Sequence, residues 1–226
     1  RAKMPINAVS EKMDLIIAGD TAKDFVLICG VWCRFLLNDG SYSCQHLISR
    51  SLLSDEDSSV PKEELQVLTM ASNLGWVVRS MLDSWVEDYI VLSDSTISIS
   101  WVMSDKNRLS LFHRNRVVQI RRGTDLTKLY HVISAAQPCD LGTRPDDVTA
   151  DDVGPQSKWN IGLTWMRGRI SDAIEKGILK PADSLTLNQD DEDGFNKGFV
   201  FEKGHEILTP GHVVQHNATE NTTISG

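Results

Sequence analysis

Four carboxylates stand where apolar segments begin or end. Asp20 follows the short apolar run 15–18, Glu64 opens an amphipathic stretch, Asp94 comes just after the apolar tetrad 89–92, and Asp140 lies in Gln137-Pro138-Cys139-Asp140-Leu141 beyond a last apolar segment. Taken singly, an acid after a strand is more often a cap or turn residue than a ligand. Gathered in one pocket, such acids repel by roughly 4 kcal/mol per close pair at a surface-like dielectric. That arrangement is tolerable only with cations bound. Two Mg²⁺ ions balance four acids, and hard oxygen ligands are what Mg²⁺ takes. Such ions, about 3.5–4 Å apart, can activate a water on one side of a phosphodiester and stabilise the leaving oxygen on the other.

The elements that must carry these acids can be read from period and punctuation. Runs 15–18 and 25–37 read as strands joined by a turn at 21–24; Asn38-Asp39-Gly40 is a hairpin signal, and 42–53 pairs back as a third strand. Pro61 suits an early helix position, and Val67, Ala71, Leu74, Val78 and Met81 recur on one helical face of about five turns. Glu64, three residues before Val67, extends that face, whereas Glu63 is expected to point elsewhere. Residues 89–92 read as a short, fully apolar strand, with Ser95 capping a helix that runs through Ile97 to Met103. Asp94 then sits at the carboxyl end of a central strand, where open α/β sheets bind ligands. A basic helix over 112–122, a strand over 129–134 and a helix starting near Asp140 complete the series. The expected fold class is α/β: a five-stranded mixed sheet, three antiparallel strands then parallel additions, flanked by helices, with an irregular or helical C-terminal extension.

The net charge of −8 is unevenly spread: residues 145–226 hold 14 acids against 7 bases, leaving 17 against 16 before them. Lys106, Arg108, Arg114, Arg116, Arg121, Arg122 and Lys128 face only Asp125 between them, so one stretch offers a phosphate-binding face. His113 belongs with this basic helix as a substrate-facing residue rather than a general acid, and His131 reads as structural. Trp76 and Trp101 fall on helical faces where core packing is the commoner use; Trp85 is undecided. Cys29, Cys33, Cys44 and Cys139 lack zinc spacing and read as reduced, packed thiols. Two glycosylation sequons at Asn217 and Asn221 count as chance matches without a secretory route, and no run approaches the ~20 apolar residues of a membrane span. With Arg1 at its start, the chain is read as beginning inside a longer protein, intracellular and without membrane contact.

The order of elements and acids resembles ribonuclease H, and the wording around them resembles the Bel/Pao class of LTR retrotransposon polyproteins. The segments that carry this are Asp20-Thr21-Ala22, Pro61-Lys62-Glu63-Glu64-Leu65, Leu92-Ser93-Asp94-Ser95 with Trp101, His113-Arg114-Asn115-Arg116-Val117, and Gln137-Pro138-Cys139-Asp140-Leu141-Gly142-Thr143-Arg144. In the last, Gln137 and Cys139 depart from the family's Asn-Pro-Ala-Asp-Leu. The resemblance implies a Mg²⁺-dependent endonuclease, with Mn²⁺ as a substitute, that cuts the RNA strand of RNA/DNA hybrids during reverse transcription and leaves 5′-phosphate and 3′-hydroxyl ends. In it Asp20 bridges both ions, Asp140 helps hold the ion that activates water, and Glu64 and Asp94 hold the second. It further implies residues 1–13 as the end of a polymerase or connection segment, 14–145 as the ribonuclease H domain and 146–226 as an acidic, partly disordered linker towards integrase. Reverse transcriptase and integrase regions of the same polyprotein are the expected partners. A cytoplasmic retroelement particle with a later nuclear stage is the expected location. Two competitors remain: a catalytically silent scaffold of the same fold, and an integrase or transposase core, whose last acid would come from a late helix after a longer separation.

Overall fold

The computed structural model describes residues 3–22, 26–54, 58–104, 109–144 and 148–185. Lys106 and Arg108, the acidic run 190–193, the tail histidines and both sequons lie outside them. The described residues belong to one compact unit.

Strands β1 (Met13–Ala22), β2 (Val26–Leu36) and β3 (Tyr42–Leu53) form an antiparallel meander, turned between β2 and β3 by Gly40 at φ 81°. Helix α1 (Val60–Met81) then carries the chain back across the sheet. Strand β4 (Val86–Ser93) consequently enters beside β1 and parallel to it. After α2 (Thr96–Met103) and α3 (Leu111–Gly123), β5 (Leu129–Val132) adds parallel to β4. The sheet order is β3-β2-β1-β4-β5-β6, a mixed sheet with the ribonuclease H-like arrangement expected from the sequence. It has one strand more than the five expected: β6 (Leu179–Pro181) pairs antiparallel with β5.

Both faces of the sheet are covered, which is why β1 reads as a continuous apolar run rather than an alternation. On one face, Leu15 and Ile17 lie under α1, which is brought close by glycines on both sides of the contact. A Cβ on Gly19 would meet Val67 Cγ2 at 3.0 Å, and one on Gly75 would run into Ile17. On the other face, Ile16, Ala18, Trp32, Ile90, Leu92 and Val132 form a cluster with Met166, Ala173 and Leu179. That second layer comes from the C-terminal extension: α5 (Lys158–Ile161), which follows α4 (Ala150–Val153), the 3₁₀ turn Thr164–Arg167, α6 (Ile170–Glu175) and β6. Trp159 fastens it, accepting a 2.7 Å hydrogen bond at its carbonyl from the Trp32 indole.

Expectation and structure part in a few places. The last turn of α1 overhangs the sheet, so Met81 is 78% exposed rather than buried, and Trp76 is 54% exposed rather than packed. Trp101 is buried as expected, and Trp85 is exposed. Asp140 begins a short 3₁₀ turn, Asp140–Thr143, rather than a helix. All four cysteines are free and buried. Among the described residues no helix is long and apolar enough to cross a membrane.

Candidate active site

Backbone register brings the first two acids together. Ala18 of β1 pairs with Leu92 of β4, the last pair of that ladder; Asp20 lies two residues further along β1 and Asp94 just past the end of β4, near enough for the Asp94 charge to act on Asp20. This is the carboxyl edge of β1, β4 and β5. The turn after β5 delivers the third acid, and it is stitched to β1: Gln137 Nε2 donates to the Gly19 carbonyl at 3.1 Å, and Cys139 Sγ donates to that of Ala18 at 3.4 Å. Gln137 and Cys139, the two departures from the family pattern, thus hold Asp140 near Asp20. Glu64 arrives from the first turn of α1, which Gly19 allows to settle closely on β1.

The side chains feel one another. Asp20 is pushed up from its ordinary 3.8 to about 6, chiefly by burial, with the charges of Asp94 and Asp140 adding and the Thr143 hydroxyl opposing. Glu64 is also raised, first by burial and then by Asp94, Asp20 and Glu63, against a hydrogen bond from Ser95. Among the described residues the largest contributions to both shifts are burial, hydroxyl hydrogen bonds and neighbouring carboxylates. Two hydroxyls do the holding. Thr143 Oγ1 donates to Asp20 Oδ2 at 2.6 Å while lying 2.9 Å from the Asp140 carbonyl oxygen, and Ser95 Oγ donates to Glu64 Oε2. Asp140 pairs with Arg144 at 2.8 Å, a contact open to solvent on both sides. The Asp94 carbonyl lies 3.2 Å from His131 Nε2, which ties β4's end to β5.

The four expected acids therefore share one sheet edge and one electrostatic field. They do not form a finished cage: among the described residues no three groups of metal-ligating type stand close enough together to hold an ion.

Three expectations about individual residues are corrected. Glu63 is the buried member of its pair, accepting from Thr21 Oγ1 at 3.3 Å and from Ser54 Oγ, so it braces α1 against β1 and β3. His113 is not substrate-facing: it is 8% exposed, packs its ring at 4.5 Å from Trp101, and lies 2.6 Å from Ser110 Oγ through Nδ1. Burial, with Lys62 and Arg116 nearby, pushes its acidity to about 4, so it is neutral at physiological pH. Arg121 donates to the Val102 and Ser104 carbonyls at 2.9 and 2.8 Å, fastening the end of α2 to α3. Of the basic helix, Arg114 and Arg122 are exposed, while Arg116 folds its guanidinium 3.4 Å over the Phe112 ring.

Sequence reasoning missed Thr143 and the Ser95–Glu64 contact. Ser95 was legible as a helix cap, and it is one, accepting from Ser98 N at 3.1 Å. Nothing local marks Thr143, whose partner Asp20 lies 123 residues away.

No family model and no curated protein matches this chain. Among solved structures, the chain is similar to the N-terminal RNase H domain of Rv2228c from Mycobacterium tuberculosis, solved as a fusion with maltose-binding protein. Identity is 12%, over 56% of this chain and 86% of that one, with a TM-score of 0.33. It is also similar to NurA (17% identity, 44% of this chain, 23% of that one, TM-score 0.20) and to NurA with manganese (19%, 42%, 23%, 0.17). The chain spans about a quarter of the NurA chains. At such scores these likenesses carry no weight, and the ribonuclease H-like fold rests on strand order and on the α1 crossover.

Proposed function

We propose that this chain is a divalent-metal-dependent endonuclease that hydrolyses the RNA strand of RNA/DNA hybrids, as the ribonuclease H region of a Bel/Pao-class retroelement polyprotein. The observation that carries the reading is the delivery of Asp20, Glu64, Asp94 and Asp140 from four separate elements to one sheet edge, with Asp20 and Glu64 held less acidic than usual, chiefly by burial and with neighbouring carboxylates adding. Buried carboxylates that repel one another are an unstable choice unless a cation joins them. The donor set fits Mg²⁺ or Mn²⁺: all hard oxygens, all acids, mutually repelling.

Asp20, Glu64, Asp94 and Asp140 would hold the ions. Bound ions supply Lewis-acid stabilisation of the charge that develops on the phosphodiester oxygens. The chain's own residues do the rest. Thr143 and Ser95 keep two ligands oriented, Gln137 and Cys139 fix the Asp140 turn against β1, and Arg114 and Arg122 present exposed cations to phosphates without reading sequence. Reverse transcriptase and integrase regions of the same polyprotein would be its neighbours.

One observation favours a second reading, a catalytically silent scaffold of the same fold: Asp20 and Glu64 are engaged by hydroxyls. A hybrid-cleavage assay separates the two, run with Mg²⁺, with Mn²⁺ and with EDTA, and with duplex DNA as control. Cleavage of the RNA strand in the metal arms, lost in Asp94→Asn, is the expected result; no cleavage by the wild type, or equal cleavage by Asp94→Asn, overturns the nuclease reading.

A further inference from the structure

Away from the carboxylates, the C-terminal extension and the turn after β5 line a half-open cleft of about 410 Å³, within the usual small-ligand range of about 300–1,000 Å³. Its apolar lining comes from Ala136, Leu163, Trp165 and Ile178, and the same lining carries Lys158, Arg169 and Lys176 against the single acid Asp172. All three cations are exposed, and none makes an ion pair among the described residues. Trp165 is fixed by its indole N–H, which donates to the Ala136 carbonyl at 3.1 Å, so the wall is braced rather than collapsible.

The position of the cleft matters as much as its lining. Ala135 and Ala136 lie in the 3₁₀ turn Ser134–Ala136, which leaves β5 at the same carboxyl edge that bears Asp20 and Asp94. Four residues further along the same segment comes Asp140. A four-residue segment spans at most roughly 14 Å. At about 3.4 Å per nucleotide of duplex rise that is no more than about four nucleotides.

We infer that this cleft is a single-strand subsite: it takes one unstacked nucleotide of a nucleic-acid strand, base against the apolar wall and phosphate towards Arg169 and Lys176, a few nucleotides from the carboxylates. The chemistry selects this occupant. A concave cleft seats a base once it has left a stack, its aromatic and aliphatic wall accepts any base face, and a lining that carries three cations and one acid suits a phosphate. The inference deepens the nuclease reading and rests on it for its biological meaning. Its test does not require cleavage.

Binding of a fluorescent single-stranded oligonucleotide to the full chain is measured in EDTA over a salt series. Arg169→Ala with Lys176→Ala is expected to lower the magnitude of the log–log salt slope by about 0.7, the value for one phosphate of a single strand. Ala135→Glu, an exposed lining position made acidic, is expected to weaken binding at least roughly fivefold, and Ala135→Gln, of matching size, to restore it. Unchanged affinity and slope in the variants, or equal loss with Ala135→Gln and Ala135→Glu, overturns the subsite. So does displacement of the strand by free mononucleotide at strand-like concentration, which would mark a small-molecule pocket. Cleavage of a blunt hybrid, assayed separately, reports on the carboxylates alone: its loss in the wild type sinks the nuclease reading while strand binding still decides the subsite.

Discussion

Asp20→Asn removes the charge of the most strongly perturbed carboxylate while leaving an oxygen to accept from Thr143. In the wild type the native state holds the Asp20 proton with a value of about 6 and the unfolded chain with the ordinary 3.8, burial being the main cause. Between these values the native state binds more protons than the unfolded one, so native stability falls as pH rises through the window and stays lowered above it. At about 1.4 kcal/mol per unit, the ionised Asp20 costs on the order of 3 kcal/mol near pH 7.5 and about 1 kcal/mol near pH 4.5. Asp20→Asn escapes both, and should exceed the wild type by those amounts in urea unfolding with EDTA at the two pH values. The corresponding rise in Tm at the higher pH is roughly 6–12 °C for a domain of this size. Mg²⁺ at about a hundred times its Kd should return up to ~2.7 kcal/mol to the wild type and less to the variant, narrowing the gap. A variant no more stable than wild type near pH 7.5, or a gap of the same size near pH 4.5, would refute the electrostatic account of the site.

The adjacent glutamates should behave oppositely. Glu63→Ala strips the buried Thr21 and Ser54 contacts and is expected to cost about 1–3 kcal/mol in denaturant unfolding, whereas Glu64→Gln should leave unfolding within about 0.5 kcal/mol of wild type or raise it, and abolish metal-dependent cleavage; reversed effects would exchange their roles. Arg114→Ala with Arg122→Ala should lower the salt slope of hybrid binding by about 1.8, while Arg121→Ala should lower Tm instead by freeing the Val102 and Ser104 carbonyls. His113, held neutral down to about 4, stabilises the fold above the ordinary 6.5 and loses that contribution as pH falls towards 4. His113→Gln should therefore narrow its stability deficit on acidification, and hybrid affinity should show no His113-dependent titration between about pH 6 and 8.

Elements with local punctuation were legible in the sequence, and contacts that join distant segments were not. Asn38-Asp39-Gly40 set the β2–β3 turn, and Ser95 marked the start of α2, because a positive-φ glycine and a cap are decided within a few residues. Glu63 and Glu64 were misjudged because they lie four and three residues before Val67, one on each side of the helical stripe. Which one turns inward depends on where β1 and β3 lie under the first turn of α1. His113 was grouped with its basic neighbours, yet a helix with Arg114 and Arg116 on its outer side still needs an inner side, and His113 takes it with Val117 and Ile120. Strand β6 gives no signal of its own: three residues ending in proline become a strand only because β5 offers an unpaired edge. The four acids were readable as a set because strand ends are readable; the hydroxyls that steady them come from elsewhere in the chain.

Those hydroxyls suggest why the site uses no lysine or arginine on its inner acids. A cationic side chain on Asp20 would relieve the repulsion permanently, and a divalent ion would then have to displace a charged, hydrogen-bonded partner. Thr143 and Ser95 give Asp20 and Glu64 one directional contact each, which offsets their upward shift only in part, so the repulsion among Asp20, Glu64 and Asp94 persists in the folded chain. The ion pair Asp140–Arg144 does not break the pattern, since both partners are open to water and such pairs are worth little. Gathered at one sheet edge and raising one another's pKa, the carboxylates have most to gain from a cation that binds several of them at once.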